Sequence, residues 1–120
     1  MIRPPAAALR FLALLVPLGL FALPASAKVD ADNGRKLYVD SCQSCHGDKG
    51  QGNPVMYKRA GAKIVHLGSE DAQQKSDDFI RKSMTDGWQK MEKVEDLTTP
   101  QQVEDILAFV RTLKLEEPKK

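Results

Sequence analysis

The apolar residues of this chain recur mostly at helical spacing, and no stretch alternates convincingly between apolar and polar residues as a half-buried strand would. The most regular stretch lies near the C-terminus, where apolar residues repeat every three or four positions: Val103, Ile106, Leu107, Val110 and Leu113. Just before it, Thr99 is a predicted N-cap, Pro100 suits the first helical position and Gln102 completes a capping box. The pattern predicts an all-α protein.

Two further helices are predicted upstream of this one. The first covers residues 32–41, with Asp32 or Asn33 as its N-cap. The second covers residues 76–86, where a serine caps the first turn and Gly87 ends the helix. Between these two helices, after a glycine-rich loop, the apolar residues have no clean period, so loop and short helix are expected there.

The N-terminus has the pattern of a targeting segment. Arg3 and Arg10 precede an apolar stretch, and Ala27 closes an A-x-A cleavage site. The apolar stretch is shorter than the ~20 residues needed to span a bilayer comfortably, although an uncleaved anchor is the alternative interpretation. We expect residues 1–27 to be a secretory signal peptide and residues 28–120 to form one small domain exported to the periplasm, with no stable membrane insertion after cleavage.

The net charge of the full sequence misleads about the exported domain. The formal charge is +2, but both Arg3 and Arg10 belong to the predicted signal peptide, and their removal leaves equal numbers of basic and acidic residues. The sequence has no basic block and few aromatic residues. These features predict that the protein does not bind nucleic acid.

Both cysteines of the chain, Cys42 and Cys45, lie in one C-x-x-C-H string that ends at His46. This string is the attachment signature of c-type haem. The chemistry needs this spacing, because two thiols three positions apart can each add to a vinyl group of one haem. The adjacent imidazole can then ligate the iron from the proximal side.

The same string has other interpretations. It could be a thioredoxin-like redox pair, but the chain has no predicted βαβ unit around it. It could belong to a zinc site, for which His66 is the remaining histidine that could join Cys42, Cys45 and His46. It could also be a disulfide in an exported protein. Haem attachment is the favoured interpretation.

The chain resembles the class I monohaem c-type cytochromes, in particular the small bacterial periplasmic ones. Gly34, Tyr38 and Cys42 recur every four residues, and the attachment string continues as C-x-x-C-H-G-x-x-G-x-G. The C-terminal helix carries the apolar–aromatic run that ends at Phe109. The resemblance implies a small all-α cytochrome c fold, in which the N- and C-terminal helices cross closely at Gly34 and further short helices and loops wrap one covalently bound haem c.

The resemblance also implies a methionine as the distal ligand of the iron. Met91 lies in a loop shortly before the C-terminal helix, which is where the family places its sulfur ligand. Met84 lies on the apolar face of a predicted helix and is expected to fill the core. Met56 and His66 are the other candidates, and a bis-histidine site would have a lower reduction potential than a methionine–histidine site.

These features predict a periplasmic electron-transfer protein rather than an enzyme. The predicted cofactor-binding residues are Cys42, Cys45, His46 and Met91, of which His46 and Met91 are the iron ligands. The expected partners are redox proteins that donate and accept one electron. Two alternatives stay open: a haem-bearing subunit of a periplasmic dehydrogenase or oxidase complex, and a five-coordinate haem that binds small ligands.

Overall fold

A computed structural model of the chain describes residues 27–114, so the predicted signal peptide lies outside the described residues except for Ala27. Six helices lie within the described range, and Trp88 and Met91 form an isolated β-bridge. The helices are, in chain order, α1 (Ala31–Ser41), α2 (Gln43–His46), α3 (Pro54–Ala60), α4 (Glu70–Gln73), α5 (Asp77–Thr85) and α6 (Pro100–Val110). The prediction of an all-α fold is confirmed.

The packing of α1 against α6 is the main tertiary contact between helices in the described part of the chain. Gly34 lies directly against the backbone of Asp105, where a Cβ atom would collide with the Asp105 carbonyl. One turn further along, the rings of Tyr38 and Phe109 pack with centroids 5.0 Å apart. Tyr38 and Ile106 are the most deeply buried large side chains of the described residues. The predicted crossing of the two terminal helices at Gly34 is therefore confirmed.

The start of α1 is fixed by a carboxylate from α6. The Asp105 side chain is 3% exposed and accepts hydrogen bonds from the Asp30 backbone N–H at 2.9 Å and from the Asn33 side chain at 2.8 Å. The Gln101 side chain also donates to it at 2.8 Å. These bonds hold the first turn of α1 on α6, and the hydrogen bond from Asn33 leads the effects that lower the pKa of Asp105.

The N-cap of α1 differs from the prediction. Asp30, rather than Asp32 or Asn33, caps the helix, because its carboxylate accepts the backbone N–H groups of both of those residues. The other two predicted caps are confirmed: Ser76 caps α5, and α6 begins with a capping box between Thr99 and Gln102. α5 ends at Thr85, and Gly87 follows with a left-handed φ of 83°.

Arg111 ties the segment between α4 and α5 to the end of α6. Its guanidinium donates to the backbone carbonyls of Gln73 and Lys75 at 2.8 and 2.7 Å, and to the Asp77 carboxylate at 2.6 Å. Gln73 donates in turn to the Val110 carbonyl at 3.0 Å. No helix among residues 27–114 is long and apolar enough to cross a membrane.

We predict that Gly34→Ala destabilises the haem-loaded protein by about 2 kcal/mol. The alanine improves helix propensity by up to about 1 kcal/mol, but its Cβ collides with the Asp105 backbone, which cannot rotate away as a side chain could. Urea unfolding measures the change, and exposed Arg35→Ala on the same helix is the control. A Gly34→Ala variant as stable as the wild type would contradict the close crossing.

We predict that Asp105→Asn costs stability at pH 7 and that this cost shrinks in acid. A carboxylate with a lowered folded-state pKa stabilises the fold above the unfolded value of 3.8, and this contribution is lost as the pH falls through the folded pKa. Urea unfolding of the variant and of the wild type, at pH 7 and at pH values well below 3.8, measures the difference in their free energies of unfolding. The exposed Asp96→Asn variant is the control, and a cost that does not depend on pH would refute the ionic role of Asp105.

Candidate functional site

One turn of helix brings the predicted attachment residues together. Cys42 ends α1 through a bond from its N–H to the Tyr38 carbonyl, and its own carbonyl accepts the N–H groups of Cys45 and His46 at 3.2 and 2.9 Å. Residues three and four positions apart share one side of a helix. Cys42, Cys45 and His46 therefore face the same side of α2.

The environment of the Cys42 thiol is unlike that of a redox-active cysteine. Both are free, Cys42 is buried at 8% exposure and Cys45 is partly exposed. Burial, assisted by the neighbouring Cys45, raises the pKa of the Cys42 thiol to about 11. A thiol with so high a pKa carries little thiolate at neutral pH and is a poor nucleophile in thiol–disulfide exchange.

His46 has a partly buried imidazole, and its environment favours the neutral form. Burial lowers its pKa, and the Val65 backbone partly opposes that effect. Its Nδ1 atom is buried and has no hydrogen-bond partner within residues 27–114. A neutral imidazole keeps a lone pair on one ring nitrogen, which is what a metal ligand must offer. The residues present therefore fit a haem iron on this side.

The glycine-rich loop after His46 is bonded back onto α2. The Tyr38 hydroxyl donates to the Gly47 carbonyl at 2.7 Å, and the Gly52 N–H donates to the His46 carbonyl at 2.6 Å. Asn53 bonds to the carbonyls of Cys45 and Ser44 at 2.9 and 3.0 Å. Gly52 has a φ of 85° and leaves no room for a Cβ beside the Tyr57 hydroxyl. We call the turn from Cys42 to His46 the attachment turn. These hydrogen bonds hold it against Tyr38 on one side and against the glycine-rich loop on the other.

Half-buried apolar side chains pack around the core that contains Cys42. They come from three helices and two loops of the described part of the chain: Leu37, Leu67, Ile80, Met91, Val94, Leu97 and Phe109. A large, mostly apolar prosthetic group suits such a surface. This arrangement is a second feature of the chain that fits a haem.

Met91 belongs to a tight turn that the sequence analysis described only as a loop. The backbones of Trp88 and Met91 exchange hydrogen bonds of 2.9 and 2.8 Å, with Gln89 at a left-handed φ of 51°. The Trp88 ring packs edge-on against Phe79 of α5 with centroids 5.3 Å apart. Gly87 permits the turn, because a Cβ there would lie 2.8 Å from the Met91 carbonyl oxygen. The turn fixes the backbone of Met91 against α5.

The other candidate ligands have different surroundings. Met84 is 4% exposed and belongs to the core, as expected, whereas Met56 lies partly buried on α3. The Nδ1 atom of His66 accepts a hydrogen bond from the Gly68 backbone N–H at 3.0 Å. The neutral ring must then carry its proton on Nε2, so neither nitrogen of His66 has a free lone pair.

The alternative interpretations of the C-x-x-C-H string lose support. Within residues 27–114, no three histidine, cysteine or acidic side chains come together as a metal site, so His66 does not complete a zinc site with the string. Apart from the isolated Trp88–Met91 bridge, residues 27–114 form no β-strand, and hence no βαβ unit of the thioredoxin type.

A sequence model of the family described as "Cytochrome c" matches residues 31–114, which include every helix described above. The chain belongs to the cytochrome c family. It is similar to the solved structure of the KustC0563 c-type cytochrome, with a TM-score of 0.58 and 27% identity over 68% of this chain and 98% of that one. It is an all-α, monohaem c-type cytochrome that holds haem c covalently and transfers electrons through the haem iron, in exchange with redox partners.

A shorter likeness involves a protein of an oxidase complex. Over 37 residues the chain is 46% identical to the Cbb3-type cytochrome c oxidase subunit FixP of Bradyrhizobium diazoefficiens. The match covers 31% of this chain but 13% of the relative's length. The likeness therefore concerns one segment of that subunit.

We predict that Gly87→Ala lowers the stability of the haem-loaded cytochrome by about 1–3 kcal/mol, because a Cβ at left-handed φ is strained and meets the Met91 backbone. Gln89→Gly should relieve strain in the same turn, because Gln89 has a left-handed φ that glycine adopts without strain. It is expected to leave the urea midpoint unchanged or raised. Equal stability of the two variants would refute this account of the turn.

Proposed function

We propose that this cytochrome is a periplasmic electron carrier in which Cys42 and Cys45 attach the haem while His46 and Met91 ligate its iron. The observation that carries the proposal is the single helical turn that brings both thiols and a partly buried, neutral imidazole to one side. When bound, the haem supplies a one-electron couple between ferrous and ferric iron.

The chain's own residues would control this couple in three ways. The glycine-rich loop holds the His46 backbone, so the proximal imidazole has a fixed position. The apolar side chains around Cys42 exclude water from the crevice. On the distal side, the turn from Trp88 to Met91 presents a soft thioether, a ligand that raises the potential relative to histidine.

Met91 is favoured as the distal ligand on two grounds. It packs against the core cluster that contains Cys42, whereas Met56 does not belong to the side chains packed there. The hydrogen bond at Nδ1 weakens the case for His66. With two protein ligands the iron has no open position for a substrate, so we propose a carrier and not an enzyme.

The predicted signal peptide supports the periplasmic location. Residues 1–27 have a positive start, an apolar stretch and an A-x-A site, and the first helix of the described residues begins soon afterwards at Ala31. We propose that the exported cytochrome c domain covers residues 28–120.

The likeness to an oxidase subunit favours a second candidate function. A fixed haem-bearing subunit of an oxidase complex would use the same attachment turn and the same ligands. It differs from a free carrier in keeping a persistent partner on purification. The carrier is preferred because the similar c-type cytochrome structure is covered over 98% of its length, whereas the oxidase subunit is matched over 13% of its length.

We predict that Met91→Ala abolishes the weak sulfur–iron band at the red end of the ferric spectrum and lets carbon monoxide bind the ferrous iron readily. Removal of the thioether opens the distal position, so the ferric iron becomes high-spin or takes up water. Optical spectra of the exported, haem-loaded protein measure both changes.

Met84→Leu is the matched control, because it alters a buried methionine of the core and should keep the band. A band that survives in Met91→Ala would assign the distal ligand to another residue. A wild-type protein that lacks the band and binds carbon monoxide would overturn the carrier in favour of a ligand-binding haem.

A further inference from the structure

The dipeptide Asn33–Gly34 joins two residues that the helix crossing needs for separate reasons. The Asn33 side chain donates to the Asp105 carboxylate at 2.8 Å, and Gly34 leaves room for the Asp105 backbone. Together they form the one asparagine–glycine sequence of the chain. In such a sequence the next backbone nitrogen attacks the asparagine side chain readily, because glycine has no Cβ to hinder the approach.

The reaction of this dipeptide is a loss of ammonia followed by an uptake of water. The Gly34 nitrogen bonds to the Asn33 side-chain carbonyl carbon, and the side-chain nitrogen leaves as ammonia with the proton of the Gly34 N–H. Water then opens the five-membered imide at either of its two carbonyl carbons. One opening leaves an aspartate at position 33, and the other leaves an iso-aspartate whose backbone is one carbon longer. Water is the only co-reactant, and no group is oxidised or reduced.

The folded domain closes this route at both reacting groups. The Gly34 N–H donates to the Asp30 carbonyl at 2.9 Å, so the first turn of α1 engages the nitrogen that would attack. The Asn33 side-chain nitrogen, which would leave, is bound to a carboxylate that is 3% exposed. Ring closure would also require Asn33 to leave its helical backbone angles. The reaction is therefore open only in a chain whose α1 is not formed on α6.

An aspartate at position 33 does not fit the crossing. Its side chain would bring a second carboxylate next to Asp105, in place of the amide that donates there. Two carboxylates so close together strongly disfavour each other's ionised form, and Asp105 is buried. The Asp30 N–H and the Gln101 side chain also donate to Asp105 and favour its charged form. The deamidated chain thus opposes two negative charges where the fold needs a donor.

An iso-aspartate at position 33 fits the crossing even less well. The extra backbone carbon would lie directly before Gly34, where even an added Cβ collides with the Asp105 carbonyl. It would also disturb the i to i−4 hydrogen-bond spacing in the first turns of α1. Both products therefore lose the contact that positions α1. Because α1 runs directly into Cys42, they also lose the position of the attachment turn.

We propose that Asn33–Gly34 is a deamidation site that the crossing of α1 and α6 keeps closed. Chains that fold retain the amide, whereas chains that stay open lose it and can no longer form the native crossing. A delay in folding thereby becomes an irreversible change of the chain. The inference depends on the fold of the described residues and not on the proposed electron-carrier function.

Peptide mass spectrometry of the haem-loaded protein tests the proposal in a mildly alkaline buffer, with and without unfolding by guanidinium chloride. The native protein should lose the Asn33 amide at least about a hundredfold more slowly, since it reacts only through its open form. The chain's other asparagine, Asn53, is an internal control and should stay intact, because Pro54 has no backbone N–H. Equal rates at Asn33 in the native and unfolded protein would overturn the proposal, as would an Asn53 that reacts as fast as Asn33.

The variant Asp105→Ala loosens the first turn of α1 without changing the reacting dipeptide. It removes the hydrogen bonds from the Asp30 backbone and from the Asn33 and Gln101 side chains. The native reaction should therefore become at least about tenfold faster, because α1 opens more often. Exposed Asp96→Ala is the matched control and should react as slowly as the wild type. An Asp105→Ala variant no faster than this control would contradict closure by the crossing.

The variant Asn33→Asp tests whether the product is excluded from the fold. Its control is Asn33→Ala, which loses the same hydrogen bond to Asp105 without adding a charge. In urea unfolding at neutral pH, the aspartate variant should have an unfolded population about tenfold larger than the alanine variant. This difference should shrink in acid, whereas a difference in helix propensity would not. An aspartate variant as stable as the alanine variant at neutral pH would refute the exclusion of the product.

Discussion

The close crossing of α1 and α6 is the constraint on which the site depends. Gly34 brings the two backbones into contact, and the Asp105 carboxylate then holds the first turn of α1 in place. Because α1 runs directly into Cys42, its position determines where the attachment turn lies. The Tyr38 ring packs on Phe109 while its hydroxyl reaches the Gly47 carbonyl, so one side chain links the helix crossing to the loop after His46.

Apart from this crossing, the described part of the domain has little fully buried apolar surface. The buried apolar core of the described residues is small and comes from α1, the Cys42 position, α5 and α6: Tyr38, Cys42, Met84, Val103, Ile106, Leu107 and Val110. A domain of this size has little surface to bury on its own. We therefore expect the covalently attached haem to contribute to stability as well as to function, through contact with the half-buried side chains around Cys42.

The sequence predicted the parts of the molecule that depend on local chemistry. The capping box of α6, the Ser76 cap of α5 and the break at Gly87 follow from residue types a few positions apart. The N-cap of α1 was placed wrongly, because Asp30 is held there by a hydrogen bond from its backbone N–H to Asp105, which is 75 residues away. α3 and α4 were not located because their apolar residues have no helical period, and a tertiary contact such as the pair Gln73–Val110 holds the segment.

In the candidate site, too, the features set by local sequence were predicted and the others were not. The C-x-x-C-H spacing is a local signal, and the structure places Cys42, Cys45 and His46 on one turn. The sequence did not predict the turn around Met91, since a left-handed glutamine gives no compositional signal.

Intact mass measured under denaturing conditions on the exported protein tests the central claim most directly. The account predicts a chain that begins near Lys28, carries the added mass of one haem that acid extraction does not remove, and loses that mass when both Cys42 and Cys45 are replaced by alanine. A colourless chain with two unmodified thiols, or a haem that is extracted intact, would contradict it.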